Sequence, residues 1–576
     1  MGTNRELARI FEEIALILEL EEVEWKPRAY RNAANGIENL SEDVRDIYKK
    51  GGQEALDEIP GVGKGIAKKI AEYLETGRVT KLQELRKKYP RSISALVTLE
   101  GMGPKKVKRL VKELRITSTD SLEKAARQHK IQRLEGFGAK SEEDILNAIR
   151  TQKVSKGRML QDKAMEVAEE IVSYLKKNAP VDRLDYVGSL RRMKETIGDI
   201  DILAVSKSGQ KVMDVFTKMD GVKSVLAKGT TRSSVVLEED NIQVDIRVVP
   251  ESSYAAALIY FTGSKAHNIA LRKVAISKRW KLSEYGLFTR QGKKIPFRTE
   301  EALYKKLGLS FIPPELRENR GEIEAVKKGK LPDIVALNDI KGDLQTHTIY
   351  SDGTRSVEDM VKAAQDMGYE YMAITDHSES ARIAGGMDRR KLEKQLKEIE
   401  KVSKRHKIKV LKGAEVNILK DGKLDYPDSV LKRLDIVVAA VHSSFKMPKR
   451  EMTKRIIKAL ENPYVDILAH PTGRMIGKRK GYDADFERIF EAAAENGKAL
   501  EINSEPQRLD LNDENILMAK RFNALFCINT DAHDTAGLNM MKYGVGQARR
   551  AWLTKKDVVN TWPYNQLKKV FKRIPD

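Results

Sequence analysis

Five histidines end five separate apolar runs in the second half of this chain. They are His347 (Gly-Asp-Leu-Gln-Thr-His), His377 (Ala-Ile-Thr-Asp-His), His442 (Val-Val-Ala-Ala-Val-His), His470 (Ile-Leu-Ala-His-Pro) and His533 (Asn-Thr-Asp-Ala-His). Helical patterns lie between the runs, so from Lys341 onward strand and helix alternate, as βα units do. In a parallel βα barrel every strand ends on one face, where active sites sit. A single strand-end histidine is usually structural; five in succession point to a shared purpose. Glu415, in Gly-Ala-Glu-Val, lies close to another strand end, and Asp352 and Asp531 lie near the histidines in sequence. Imidazole mixed with carboxylate favours Zn2+, Mn2+ or Fe2+. Such a cluster can ready a water for hydrolysis. His406, inside a charged helix, is expected at the surface.

The first half is built differently. Residues 5–150 read as helices punctuated by glycine, with Leu7, Ile10, Phe11, Ile14, Ile17 and Leu18 at helical spacing. A hydrophobic-x-Gly-hydrophobic-Gly pattern occurs three times, with glycine pairs Gly61/Gly63, Gly101/Gly103 and Gly136/Gly138, and each opens a helix. Glycines let the backbone turn tightly and approach a ligand. A helix N-terminus offers free N–H groups and a positive dipole end to a phosphate. Contacts of this kind read backbone rather than bases. The three patterns resemble helix-hairpin-helix motifs. Lys+Arg number 106 against 84 Asp+Glu, a net charge of +22, which suits an anionic polymer as partner.

Between the halves, residues 159–178 read as a helix, and short strands follow over Asp199–Val205, Ser234–Leu237 and Gln243–Val249. Side chains i and i+2 of a strand share a face. Asp199 and Asp201 therefore project together, with Ile200 and Ile202 toward the core. Asp245, on a neighbouring strand, can complete a carboxylate triad. Clustered carboxylates repel unless a cation neutralises them, and hard oxygen ligands suit Mg2+. Two such ions can serve an in-line displacement at phosphate.

Gly188-Ser189-Leu190-Arg191-Arg192 followed by Gly198-Asp199-Ile200-Asp201, together with Tyr260-Phe261-Thr262-Gly263-Ser264 and Glu284-Tyr285-Gly286, resembles the family X DNA polymerases typified by DNA polymerase beta. The resemblance implies Asp199, Asp201 and Asp245 as catalytic metal ligands. Mg2+ or Mn2+ would be the ion, and Asp245 would help activate the primer 3′-hydroxyl. Ser189 and Arg192 would hold the triphosphate of a dNTP, with Gly188, Gly198 and Gly263 in the same nucleotide site. Tyr260 and Phe261 would select the sugar, Asn268 would meet the base, and Arg272 would touch the template minor groove. Lys69 matches the family's Schiff-base lysine, while Lys26 and Tyr30 match parts of its 5′-phosphate pocket. Gly65 and Asp57 stand where the relative has lysines, which leaves lyase chemistry open. His267, between the nucleotide residues, is expected at the surface.

The histidine-rich half resembles a PHP domain, a distorted seven-stranded βα barrel. The resemblance implies up to three Mn2+ or Zn2+ ions on His347, Asp352, His377, Glu415, His442, His470, Asp531 and His533. Gln345 stands where the first His-x-His histidine is usual, and its amide oxygen is a poorer ligand for such metals. Arg382, Arg474 and Arg508, in loops beyond strand ends, are candidates for substrate phosphate.

The expected architecture is multidomain. An N-terminal helical domain with the first hairpin spans 1–90, a fingers-like helical domain 91–155, an α/β nucleotidyltransferase palm 156–250 and a thumb 251–317. A linker spans 318–338, and the PHP barrel 339–576. The implied enzyme fills short gaps and processes 3′ ends as exonuclease and 3′-phosphatase, and extends to cleavage at abasic sites. Its partners would be gapped or nicked DNA and dNTPs, with a DNA ligase acting after it; the chain would be a cytoplasmic, nucleoid-associated monomer. A nucleotidyltransferase for RNA or small molecules, and a DNA-binding scaffold with a vestigial PHP fold, remain as alternatives. The single cysteine, Cys527, excludes a disulfide framework and a cysteine zinc finger, and its apolar flanks place it in a packed strand.

Overall fold

The computed structural model describes residues 3–38, 40, 42–59, 61–90, 92–97, 99, 102–154, 158–239 and 241–575. The N-terminal region is helical. Helix α1 (Thr3–Leu20) buries Leu7, Phe11, Ile14 and Leu18, the one-sided spacing that makes it pack. Helices α2 (Lys64–Thr76), α3 (Pro104–Leu114) and α4 (Ala139–Val154) follow the three glycine patterns. In each pattern the residue between the glycines is buried: Val62, Met102 and Phe137. That apolar anchor holds the turn against the core and leaves Gly61, Gly63, Gly103, Gly136 and Gly138 exposed.

Next comes an α/β unit. Helix α5 (Gln161–Asn178) packs on a five-stranded sheet of β1 (Arg183–Tyr186), β2 (Asp199–Val205), β3 (Val222–Lys228), β4 (Arg232–Leu237) and β5 (Gln243–Val249). The order is β1-β2-β5-β4-β3, antiparallel except for the parallel pair β2 and β5. A four-residue helix, α6 (Gly188–Arg191), joins β1 to β2 across the short strand Thr196–Ile197. Ile200 and Ile202 point into the core, each contributing roughly 1.5–3 kcal/mol of burial. This burial fixes which face Asp199 and Asp201 take, because a one-residue slip would exchange the faces. Helices α7 (Tyr254–Thr262) and α8 (Lys265–Ser277) continue the chain beyond the sheet.

The segment expected to be a linker is packed. It includes helix α9 (Glu322–Lys327), and Glu322, Ile323 and Val326 are buried. Its apolar residues lack a sustained period because they pack in short pieces. Arg317 lies fully buried between the Glu300 carboxylate (2.7 Å) and the rings of Tyr304 and Phe311. His267 is likewise buried rather than superficial, with Nδ1 2.6 Å from Glu322 and Nε2 2.9 Å from the Tyr304 hydroxyl. His406 is mostly covered and lies 2.7 Å from Glu358.

The last domain is a seven-stranded parallel sheet in sequential order. Its strands are β6 (Gly342–Asp343), β7 (Tyr371–Ile374), β8 (Lys409–Asn417), β9 (Ile436–Ala440), β10 (Ile467–Leu468), β11 (Ala499–Asn503) and β12 (Leu525–Asn529). Past the ends of β6 and β12, Thr346 bridges Ala532 and the His347 N–H donates to the Ala532 carbonyl at 2.8 Å, which brings the sheet edges together. Cys527 is buried in β12. Helix α10 (Met541–Arg550) packs on β11 and β12.

Candidate metal centres

Strand register assembles the carboxylate triad. Asp201 on β2 lies directly opposite Asp245 on β5, with Asp199 two residues away on the same face. Each offers an oxygen within 4.8 Å of the others. Gly188 makes the close approach possible: it has φ +65°, and a Cβ there would sit 2.3 Å from Asp201 Oδ2. Burial, then Asp199 and Asp245, pushes the Asp201 carboxyl up to about 7. Asp199 is raised by burial and by Asp245. Clustered oxygens that resist ionisation together are the donor set a hard divalent cation relieves.

The residues expected to hold a nucleotide gather beside this triad. Ser189 lies in α6, and Arg192 caps its end. The Arg192 guanidinium lies 3.0 Å from Glu318 and donates to the Thr262 carbonyl. It thereby joins α6 to the α7–α8 junction, where a Cβ on Gly263 would lie 3.2 Å from its Nη1. Tyr260 and Phe261 meet edge to face at 5.1 Å. The Asn268 amide donates to the Tyr260 carbonyl at 2.6 Å, and Arg272 is exposed one turn further along α8. Gly198 precedes Asp199 and leaves room for Arg158, 3.1 Å from where its Cβ would be.

A methyl group added at Gly63, Gly103 or Gly138 would meet no atom within 4 Å, so the helix entrances are open. Gly63 and Gly103 cap α2 and α3 without a side-chain partner for the first N–H groups. Gly61 and Gly136 adopt the left-handed conformation at φ +86° and +81°. Gly101 lies outside the described residues. On α2, Lys69 Nζ donates to the Gly65 carbonyl at 2.8 Å and lies 6.0 Å from the Tyr30 ring centre. Burial lowers the pKa of its ammonium, the direction a Schiff-base nucleophile needs.

The strand ends of the barrel bring a second set together. Three groups of ligand atoms lie within 4.8 Å of one another: His347, Asp352, His377 and His533; His377, Glu415 and His442; and His347, Glu415 and Asp531. Glu415 is central, with oxygens 3.0 Å from His470, 3.1 Å from His442, 3.2 Å from His377 and 3.4 Å from His347. Gln345 is buried beside the third group, with Nε2 3.4 Å from Asp531 and its amide oxygen without a partner.

The contacts fit metal binding. His347 Nε2 lies 3.0 Å from Asp531, yet neither ring nitrogen of His347 makes an aligned hydrogen bond although both are buried. Lone pairs that converge without bonding one another suit a shared cation. Outer partners also set the ring tautomers. His442 Nδ1 is 2.6 Å from Asn417 Oδ1, and His533 Nδ1 is 2.7 Å from the Asp531 carbonyl, so in both neutral rings Nε2 keeps its lone pair for the site. Burial works against ionisation of Glu415, but His377 and His442 hold its carboxyl well below the usual range. Asp352 is likewise lowered against burial, through His377 and His533.

Residues not singled out by sequence support these ligands. Asn417 lies two positions after Glu415 on the same strand, a spacing that could have marked it. Asp376 accepts from the Thr348 N–H at 2.8 Å and its hydroxyl at 2.6 Å, tying the loop after His347 to β7. Arg508 lies 3.7 Å from Asp531, inside the site. Arg474 is committed elsewhere, to Glu195 at 2.7 Å and the Arg508 and Leu509 carbonyls.

Comparison with known proteins agrees with both halves. Family models match for a DNA polymerase beta thumb over residues 257–318, a helix-hairpin-helix domain over 2–79, a SAM-like helix-hairpin-helix tandem over 53–115 and 93–151, and a PHP domain over 343–505. The DNA polymerase/3′-5′ exonuclease PolX of Bacillus subtilis is 38% identical over 574 residues, 99% of each chain. DNA polymerase lambda of Rattus norvegicus is 26% identical over 345 residues, covering 55% of this chain and 56% of its own. A probable phosphatase of Thermoanaerobacter sp. is 33% identical over 230 residues, 38% of this chain and 89% of its own.

Proposed function

Because the chain belongs to the family X DNA polymerases fused to a PHP domain, we propose that it repairs short gaps in DNA with two separate active sites. The polymerase site adds dNTPs to a primer 3′-hydroxyl, and the PHP site hydrolyses phosphoesters at 3′ ends, as a 3′–5′ exonuclease and 3′-phosphatase. The observation that carries this reading is that two donor sets of different chemistry occupy different domains: an all-carboxylate triad on β2 and β5, and an imidazole-rich cluster on the barrel's strand ends.

Divalent cations supply charge neutralisation and Lewis acidity at both sites, with Mg2+ or Mn2+ matched to the triad and Mn2+ or Zn2+, up to three ions, to the PHP cluster. The protein's own groups orient the substrates. Arg192 and Ser189 face the triphosphate, and Tyr260 and Phe261 border the sugar. Asp245, which the Gln243 amide meets at 3.2 Å, helps activate the primer 3′-hydroxyl in this reading. In the PHP site, Arg508 meets a phosphate oxygen, while Glu415 and the imidazoles would hold the cations that neutralise the phosphate at the reacting end. The open helix entrances at Gly63, Gly103 and Gly138 bind DNA backbone. Gaps with a blocked 3′ end need both activities, since such an end has no hydroxyl to extend. The enzyme works as a cytoplasmic monomer on nucleoid DNA and hands nicks to a ligase. Among the described residues no helix is long and apolar enough to cross a membrane.

Asp245→Ala tests the division. It should abolish nucleotide addition to gapped DNA while 3′-end hydrolysis stays near the parent rate. Loss of both activities in a folded protein would contradict the two-site reading.

A further inference from the structure

The carbonyls of α6 itself are met by the N–H groups of Arg192, Met193 and Lys194, but the turn that follows it is bonded from the PHP domain. Two consecutive carbonyls leave α6 at Arg192 and Met193, and Met193 takes the left-handed conformation at φ +55°. Arg550 Nη1 donates to the Arg192 carbonyl at 2.7 Å, and Gln547 Nε2 to the Met193 carbonyl at 3.1 Å. These donors sit three residues apart on α10 and therefore on one face of it. Just before them, Gly546 gives the Met193 side chain its seat, since a Cβ there would fall 2.7 Å from Met193 Cε.

The same arginine reaches the guanidinium side. Arg550 lies 2.9 Å from Glu318, and that Glu318 oxygen is 3.0 Å from Arg192 Nε. Its other nitrogen binds Asp513 at 2.7 Å, which also holds Arg320 at 3.0 Å. Arg550 is fully buried, so its charge is sustained by these partners and an unpaired version would be costly. Burial opposes ionisation of Glu318, but Arg550, Arg192 and Lys194 bring its carboxyl down to about 2. Glu318 therefore stays charged and holds Arg192 by one edge. With Nε on Glu318 and one Nη1 hydrogen on Thr262, the guanidinium keeps its Nη2 edge free for an anion.

We propose that Arg550 and Gln547 of the PHP domain are positioning residues for nucleotide binding in the polymerase site, acting by fixing the Arg192–Met193 turn and, through Glu318, the orientation of Arg192. The proposal rests on the reading of Arg192 as a triphosphate ligand. It makes the PHP barrel a structural part of the polymerase site, so docking of α10 governs dNTP affinity while the carboxylate triad carries the chemistry. A residue that only orients a phosphate ligand changes KM for the nucleotide more than kcat.

The test is single-nucleotide gap filling by the full chain on gapped DNA with a clean 3′-hydroxyl, with 3′-phosphate release measured on the same preparations. Arg550→Met should raise the dNTP KM about tenfold, as expected for a lost charge-assisted hydrogen bond, with kcat within about threefold. Phosphate release should hold, because α10 packs beside the PHP ligands without supplying one. Arg550→Lys should recover part of the affinity, since an ammonium restores the charge but not the fork. Arg192→Ala separates the two levels of the argument. If it leaves KM unchanged, the triphosphate reading fails. If it raises KM while Arg550→Met does not, the positioning role fails. Should Arg550→Met lose both activities, Gln547→Met decides, because it leaves every charge paired: a raised KM supports the proposal and an unchanged KM overturns it.

Discussion

Replacing Gly188 by alanine probes the polymerase site at its tightest point. The new Cβ would stand 2.3 Å from Asp201 Oδ2 and 3.2 Å from its Cγ. Ordinary contact is about 3.5 Å, so the carboxylate or the α6 turn must retreat by roughly 1 Å. The backbone at φ +65° adds about 1–2 kcal/mol of strain for any residue with a Cβ. The Asp201 backbone cannot yield, because β2 is locked to β5 and Ile200 and Ile202 are buried beneath it, so the carboxylate itself must turn away from the triad. Displacement of about 1 Å at a reacting centre costs on the order of 100-fold in rate. Gap filling by Gly188→Ala should therefore fall about 100-fold, while 3′-phosphate release, in another domain, should stay within about twofold. Gly221→Ala is the control, since it carries the same left-handed backbone at φ +83° but its added methyl meets no atom within 4 Å. The assay is extension of gapped DNA alongside phosphate release, with circular dichroism melting to check folding. Near-parent gap filling by Gly188→Ala would refute the account of how Asp201 is placed.

Other outcomes follow from the same geometry. His377→Ala and Asp531→Ala should each remove 3′-phosphate release and exonuclease activity but spare extension of a clean 3′-hydroxyl, as read on the two substrates. Gly353→Ala would put a methyl 2.6 Å from the Thr348 nitrogen and 2.7 Å from the His347 carbonyl oxygen; these backbone atoms cannot yield, so Asp352 should shift and phosphate release should fall at least about tenfold. Gln345→His should raise Mn2+ or Zn2+ content by metal analysis if an imidazole fits beside Asp531, and lower activity if the ring crowds it. Binding to gapped DNA should weaken steeply with salt and show little sequence preference, because counterions are released from phosphates; a flat salt response would count against backbone recognition.

What could be read in advance was local. The five strand-end histidines and the i, i+2 carboxylates are patterns of two to six residues, and strand geometry alone says where such side chains go. The buried hydrophobe between each glycine pair has the same short range. What stayed hidden depends on partners far apart in sequence. Glu318 meets Arg192 across 126 positions and Arg550 across 232, so neither contact leaves a periodic trace. His267, between residues expected to face a nucleotide, points to the surface on sequence grounds, yet Glu322 and Tyr304 bury it from other elements. Residues 318–338 carry helix-breaking glycine and proline, which hid a segment that packs in short pieces. Arg474 and Arg508 looked alike in sequence; only the fold turns one toward Glu195 and the other toward Asp531.

The central claim, two independent sites serving one repair step, is tested most directly by complementation on gapped DNA that ends in a 3′-phosphate. Asp245→Ala should remove the phosphate without extending the primer, and His377→Ala should do neither. Mixed together they should restore full gap filling, with dephosphorylated primer appearing before extended product. Extension by His377→Ala alone, in a preparation free of other phosphatases, or no extension by the mixture while each variant keeps its remaining activity, would contradict the account.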